Sequence, residues 1–172
     1  MFNNIFDENK MQELQILLRE NKKTVTCAES CTGGLLASMI TELSGSSDIF
    51  NGSIVSYSNE IKNKKLNVKI KNLEEFGAVS TQVVEDMIDG SIQMFDADFA
   101  LATSGIAGPT GATKNKPVGT VVIGVGAKNG DKIVDVYHFD GNRKEVQIQA
   151  AKTTFKIFLK FFQKTLDKQK IF

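Results

Sequence analysis

Tryptophan is absent from this 172-residue chain, which also holds only two prolines, two cysteines and one histidine. Two cysteines cannot build a disulfide framework, and with His138 they fall short of the four Cys/His ligands of a closed structural zinc site. Metal-centred chemistry is therefore not expected, and no cofactor is implied. An excess of one charge is missing too: 21 Lys/Arg against 20 Asp/Glu leaves +1, without the basic field that nucleic acid or an anionic membrane demands. No apolar run approaches the roughly 18 residues of a membrane span, and the first ten residues mix acid, Asn and Phe instead of a basic, apolar leader. The expectation is a soluble, cytoplasmic protein of a reducing compartment, with neither nucleic acid nor membrane as partner. The length is that of about one domain, enough to bury a core without staples. No linker, internal repeat or low-complexity block divides it, so one domain over 1–172 is expected.

What is present is an alternation of helical and strand patterns. Met11, Leu14, Leu17 and Leu18 predict an amphipathic helix over about 7–21. Thr24 to Ala28 reads as a strand, followed by the polar turn Glu29-Ser30-Cys31-Thr32-Gly33-Gly34 and a helix carrying Leu35, Leu36, Met39, Ile40 and Leu43. Gly52 to Tyr57 predicts a second strand ending in the polar segment Ser58-Asn59-Glu60-Ile61-Lys62, and the lysines at 62, 64 and 65 lead into a charged connector. Ser80 is placed to cap a helix with Val83, Val84, Met87, Ile88, Ile92 and Phe95. Phe99 to Thr103 and Val118 to Ala127 read as strands, and Asn129-Gly130 predicts a hairpin to a strand over 132–139. A long helix closes the chain from Asn142 onward, its lysines at 152, 156, 160, 164 and 168 forming a solvated face. A hairpin within an alternating strand-helix chain implies a mixed sheet.

The polar turn is the first chemical candidate. Ser30, Cys31 and Thr32 stand where the unpaired amides of a helix N-terminus suit anions and oxyanions, and Gly33-Gly34 would let a ligand approach the backbone. An ordinary N-cap and tight turn would use the same residue types. Cys31 competes with Ser30 as nucleophile, since a thiolate at a helix N-terminus can be activated, whereas Cys27 reads as a small buried hydrophobe. No Walker A loop or full dinucleotide fingerprint is present. His138 falls in the hairpin strand, where convergence with Ser30 is not expected. A lysine of lowered pKa could serve as base instead. Lys62 follows the second strand end, and parallel strands would bring the segments after Ala28, Tyr57 and Thr103 to one crevice. On these residues alone Lys62 reads more simply as a surface lysine.

Six ordered blocks change that reading: Cys27 to Leu36, Tyr57 to Lys62, Gly77 to Ser80, Thr103 to Pro109, Lys116 to Val121, and Gly141-Asn142-Arg143. In this order they resemble the CinA carboxy-terminal-domain family, which includes standalone nicotinamide-nucleotide amidases, over roughly 24–151. The resemblance implies a three-layer α/β/α sandwich with a mixed, mostly parallel sheet. It also implies a homodimer that hydrolyses the carboxamide of nicotinamide mononucleotide through a Ser-Lys acyl-enzyme mechanism. Carried over, Ser30 is the nucleophile, Lys62 its base and Tyr57 a supporting hydrogen-bonding group. Thr32, Gly33, Gly34, Thr103, Gly105, Gly108 and Arg143 fall near the substrate, with Arg143 a partner for phosphate. After Pro109 the chain departs from the family pattern with Thr110-Gly111-Ala112. That departure keeps open a catalytically silent nucleotide-binding or partner-regulating module of the same fold.

Overall fold

The structure, a computed structural model, describes residues 1–169, so residues 170–172 of the expected domain lie outside the described residues. Helix α1 (Glu8–Glu20) begins where the Asp7 carboxylate accepts the Lys10 N–H at 3.0 Å, satisfying one of the amides that a helix start leaves unpaired. Met11, Leu14 and Leu18 supply its buried stripe, as the spacing predicts. Helix α2 (Leu35–Thr41) and helix α5 (Thr81–Phe95) also fall where periodicity places them, and Ser80 caps α5 by accepting the Val83 N–H.

Among the described residues, five strands form one sheet: β1 (Val25–Glu29), β2 (Ser53–Val55), β3 (Phe99–Gly105), β4 (Thr120–Ala127) and β5 (Lys132–His138), in the order β2-β1-β3-β4-β5. β1 pairs parallel with β2 and β3, whereas β4 is antiparallel to both β3 and β5. The sheet is therefore mixed, with only β4 running against the others, and the Asn129-Gly130 turn makes the expected hairpin.

Alternation along the strands sorts side chains to two faces. Val25, Cys27, Phe99, Leu101 and Val125 pack under α1, α2 and the long helix α6 (Arg143–Gln169). Ala28, Ala100, Ala102 and Val122 face α5 and its neighbours on the opposite side. This is the three-layer α/β/α arrangement. Phe99 lies 5.0 to 6.3 Å from the rings of Phe158, Phe161 and Phe162, contacts each worth about 0.5–1.5 kcal/mol beyond burial alone. Lys156, Lys160, Lys164 and Lys168 are exposed as the charge spacing predicts. Lys152 instead reaches back to Asn3 Oδ1 and the Phe6 carbonyl, at 2.7 and 2.9 Å.

One expectation is corrected. The stretch after β2 is two helices rather than a charged connector: α3 (Asn59–Leu66) and α4 (Ile70–Phe76). Ser58 caps α3 through the Ile61 N–H, and Asn67 closes it in the left-handed conformation. Tertiary packing holds this polar helix in place. Leu66 enters the core against α5, and a Cβ at Gly90 would stand 2.0 Å from the Leu66 carbonyl oxygen. Only glycine permits that approach, which packs α3 closely against α5.

Candidate active site

The site forms at the carboxyl ends of β1, β2 and β3, which parallel pairing brings to one edge. β1 continues to Glu29, one residue beyond the expected boundary, so Ser30 leaves the sheet directly and donates its N–H to the Thr103 carbonyl at 3.0 Å. Gly33 and Gly34 adopt φ of +59° and +99°, a region L side chains disfavour, which lets five residues turn the chain from strand into α2.

Glu29 changes the expected role of the α2 N-terminus. Its fully buried carboxylate accepts the N–H groups of Gly34, Leu36 and Ala37 at 3.0 to 3.1 Å and the Thr32 hydroxyl at 2.6 Å. The helix amides expected to receive a ligand anion are thus occupied by an internal one. Thr32 has committed its only hydroxyl proton to Glu29, so Thr103 must donate to Thr32 across their 2.8 Å contact. Both threonines are buried and tie the turn after β1 to β3 behind the nucleophile.

Lys62 is the largest departure from a surface reading. Its side chain is 1% exposed, and its Nζ lies 3.1 Å from Ser30 Oγ, 2.7 Å from the Ser56 carbonyl oxygen and 3.5 Å from that of Tyr57. Ser56 is aimed by its own N–H, which donates to the Glu29 carbonyl at 2.7 Å and continues the β1–β2 ladder. The three acceptors are neutral oxygens. Burial without a compensating carboxylate disfavours the ammonium and pulls the Lys62 pKa down to about 8. A lysine so placed is a workable base near neutrality, and the neutral amine can accept the Ser30 hydroxyl proton.

A cavity of about 220 Å³ opens onto this pair, lined by Ser30, Cys31, Lys62, Tyr57, Gly105 and Arg143 among others. Arg143, at the start of α6, donates to the Gly108 carbonyl at 2.8 Å and to the Tyr57 hydroxyl at 2.9 Å, across the cavity rim. Tyr57 therefore reaches Lys62 through its carbonyl, while its phenol, on a residue 61% exposed, bonds Arg143. Alongside runs a more open groove of about 800 Å³ between Gly108, Pro109 and Val118 on one side and Asn142, Arg143 and Gln147 on the other. Cavity and groove share Ala107 and Arg143. A 370 Å³ hollow between the N-terminal segment, α2 and α6 has no Ser, Thr or Cys in its wall.

The expected residues therefore divide. Ser30, Lys62, Tyr57, Gly105 and Arg143 meet at the cavity, and Gly108 borders the groove. Thr32, Gly33, Gly34 and Thr103 line neither and shape the loop from behind. Thr110, Gly111 and Ala112 are exposed and also line neither, so the departure from the family pattern falls outside both. Cys31 is buried, and loss of water around its thiol pushes the pKa up to about 12, opposite to the activation an N-terminal thiolate would need. His138 lies on β5 beside Asp140 at 3.8 Å, away from Ser30.

Two residues without a role in the sequence reading support the nucleophile turn: Glu29, and Gln147, whose side-chain amide donates to the Cys31 carbonyl at 2.8 Å. Glu29 is contiguous with Ser30, but its target amides lie five to eight residues onward. Gln147 stands 116 residues from its acceptor, beyond any local signal.

A family model described as the CinA C-terminal domain matches residues 7–162. Among curated proteins, a nicotinamide-nucleotide amidohydrolase PncC from Enterobacter agglomerans is 43% identical over 161 residues, which is 91% of this chain and 98% of that protein. A CinA-like protein from Thermotoga neapolitana is 45% identical over 84% of this chain but only 35% of its own length. The chain spans about a third of the first curated relatives it matches. A CinA-superfamily crystal structure from Escherichia coli superimposes with a TM-score of 0.86 at 31% identity, covering 92% of each chain. A competence/damage-inducible protein from Agrobacterium tumefaciens gives 0.85 at 35%, over 88% of this chain and 93% of that one.

Proposed function

The chain belongs to the CinA C-terminal domain family, and from that membership we propose that it hydrolyses the carboxamide of nicotinamide mononucleotide to nicotinate mononucleotide and ammonia. The observation that carries this reading is the buried Lys62 Nζ at 3.1 Å from Ser30 Oγ. The amidohydrolase name of a relative that this chain covers almost end to end supports the substrate.

In the reaction, neutral Lys62 takes the Ser30 hydroxyl proton as Oγ attacks the carboxamide carbon. The carbonyl oxygen becomes an oxyanion, received by main-chain amides of the turn after Ser30. The amides of α2 are not available for this, because Glu29 holds them. Collapse of the tetrahedral intermediate breaks the C–N bond, and protonated Lys62 donates to the leaving nitrogen, which departs as ammonia. Water then adds to the acyl-Ser30 with Lys62 again accepting a proton, and nicotinate mononucleotide is released with Ser30 restored. An oxyanion donor of this kind contributes about 2.7–4 kcal/mol.

The cavity of about 220 Å³ is smaller than the roughly 300–1,000 Å³ of ordinary small-ligand sites. It suits the reacting pyridine carboxamide, while the ribose and phosphate extend past Arg143 into the groove. Ammonia release from nicotinamide mononucleotide by the purified protein, with nicotinate mononucleotide identified as co-product, tests the assignment. A protein that binds the nucleotide without turnover would instead be the silent module. We further propose that the protein is a homodimer, as the family resemblance implies, and light scattering in solution checks that stoichiometry.

A further inference from the structure

Residue 31 is held from both sides. The Ser30 carbonyl accepts the Gly33 N–H at 3.1 Å, and the Cys31 carbonyl accepts the Gln147 side-chain amide at 2.8 Å. Only the NH2 end of glutamine can serve a carbonyl, so the orientation of the Gln147 amide is set by its partner. A trans peptide is planar, with its N–H opposed to its C=O. Fixing these two carbonyls therefore fixes the N–H groups of Cys31 and Thr32. Among the described residues neither N–H donates to a protein oxygen, although both residues are buried. The Cys31 N–H lies toward the residue's own thiol, a weak acceptor, so both amides stay open to a stronger acceptor immediately after the nucleophile, with Cys31 in the cavity wall.

We propose that Gln147 is a positioning residue for catalysis, holding the Cys31 carbonyl so that the amides after Ser30 stay in the geometry that receives the oxyanion. The inference rests on the amidase reading above. It makes α6 part of the catalytic apparatus through one side chain, in addition to Arg143 at its first residue. Gln147 also walls the groove, so substrate lying there would pack against the tether. With its NH2 engaged by Cys31, however, the action of Gln147 falls on the chemical step rather than on binding.

The test compares wild type with Gln147→Ala, Gln147→Glu and Gln147→Lys in two assays. One measures kcat and KM for ammonia release from nicotinamide mononucleotide. The other follows labelling of Ser30 by a fluorophosphonate, whose phosphoryl oxygen uses the same donors without needing the natural substrate. Gln147→Ala is expected to lose about tenfold or more in kcat with KM within about twofold, and to slow labelling by a similar factor. Gln147→Glu, nearly isosteric but unable to donate when ionised, should lose at least as much. Gln147→Lys restores a donor and should recover a large part of kcat, which a general folding defect would not allow. Wild-type kcat and labelling in Gln147→Ala, or a loss confined to KM, overturns the positioning role while leaving the amidase reading intact. Wild-type protein that neither releases ammonia nor accepts the probe overturns the amidase reading first.

Discussion

Arg143 and Tyr57 meet across the rim of the site, with guanidinium Nη2 donating to the phenolic oxygen at 2.9 Å and joining the start of α6 to the end of β2. A second bond from the same guanidinium to Gly108 adds the segment after β3. Three segments distant in sequence are thus gathered by one cation where the cavity opens into the groove, and a planar guanidinium still has donors to spare for an anion.

If that cation reads the substrate phosphate, nicotinamide mononucleotide should be preferred over nicotinamide riboside by at least about tenfold in kcat/KM, since a charge-assisted hydrogen bond contributes about 1.5–3 kcal/mol. Arg143→Ala should erase most of that preference, chiefly through KM. Equal efficiency of the wild type on both substrates would remove the phosphate role.

Ser30 and Cys31 are separated by environment. Ser30→Ala should lower kcat by about a thousandfold or more, because it deletes the covalent route. Cys31→Ser should keep most activity, since a thiol whose pKa is pushed up to about 12 holds almost no thiolate at neutral pH. Mass spectrometry of acid-quenched protein should place the acyl group on Ser30, and an adduct on Cys31 would reverse the assignment.

Lys62 acts in its neutral form, so kcat/KM should rise with pH through about 8 and level off above it. Lys62→Arg retains charge and donors but cannot take a proton from Ser30. It is expected to be as inactive as Lys62→Ala, with the ascending limb gone. Substantial turnover in Lys62→Arg with the same limb would show that Lys62 is not the base.

Burial of Lys62 also opposes folding. Its pKa falls from 10.5 to about 8 in the folded state, so the unfolded chain binds more protons between those values and stability rises with pH across that window. Below about pH 8 the full penalty applies, about 3 kcal/mol at 1.36 kcal/mol per pKa unit. Lys62→Met should therefore be inactive yet more stable than wild type in denaturant titrations at pH 7, with the gain shrinking toward pH 10. The loss of the Lys62 bond to Ser56 offsets part of the gain. A variant less stable at pH 7 than at pH 10, relative to wild type, would contradict this balance.

Periodicity alone located α1, α5, α6, the apolar strands β1, β3 and β4, and the Asn129-Gly130 hairpin, because in each the apolar spacing or turn chemistry matches the final burial. Helix α3 was illegible for the opposite reason. Asn59 to Leu66 carries three lysines and only two apolar residues, Ile61 and Leu66, so no stripe announces it. Its helicity follows from Ser58 and Asn67 at its ends and from the close approach of Gly90 on α5.

The candidate chemistry divides in the same way. The residue pattern of the chain places Ser30 after a strand at the start of a tight glycine turn, and its ordered blocks single out Lys62 through resemblance. Composition could not separate Lys62 from Lys64 and Lys65, which share its helix. Packing of α3 against α5 leaves one of the three 1% exposed and bonded to Ser30. Tertiary structure likewise turned the Glu29 carboxylate onto the α2 amides and brought Gln147 to Cys31 from 116 residues away. Local preferences act over a few residues, whereas burial of a charge and the choice of a hydrogen-bond acceptor are set by which distant surfaces the packed layers bring together.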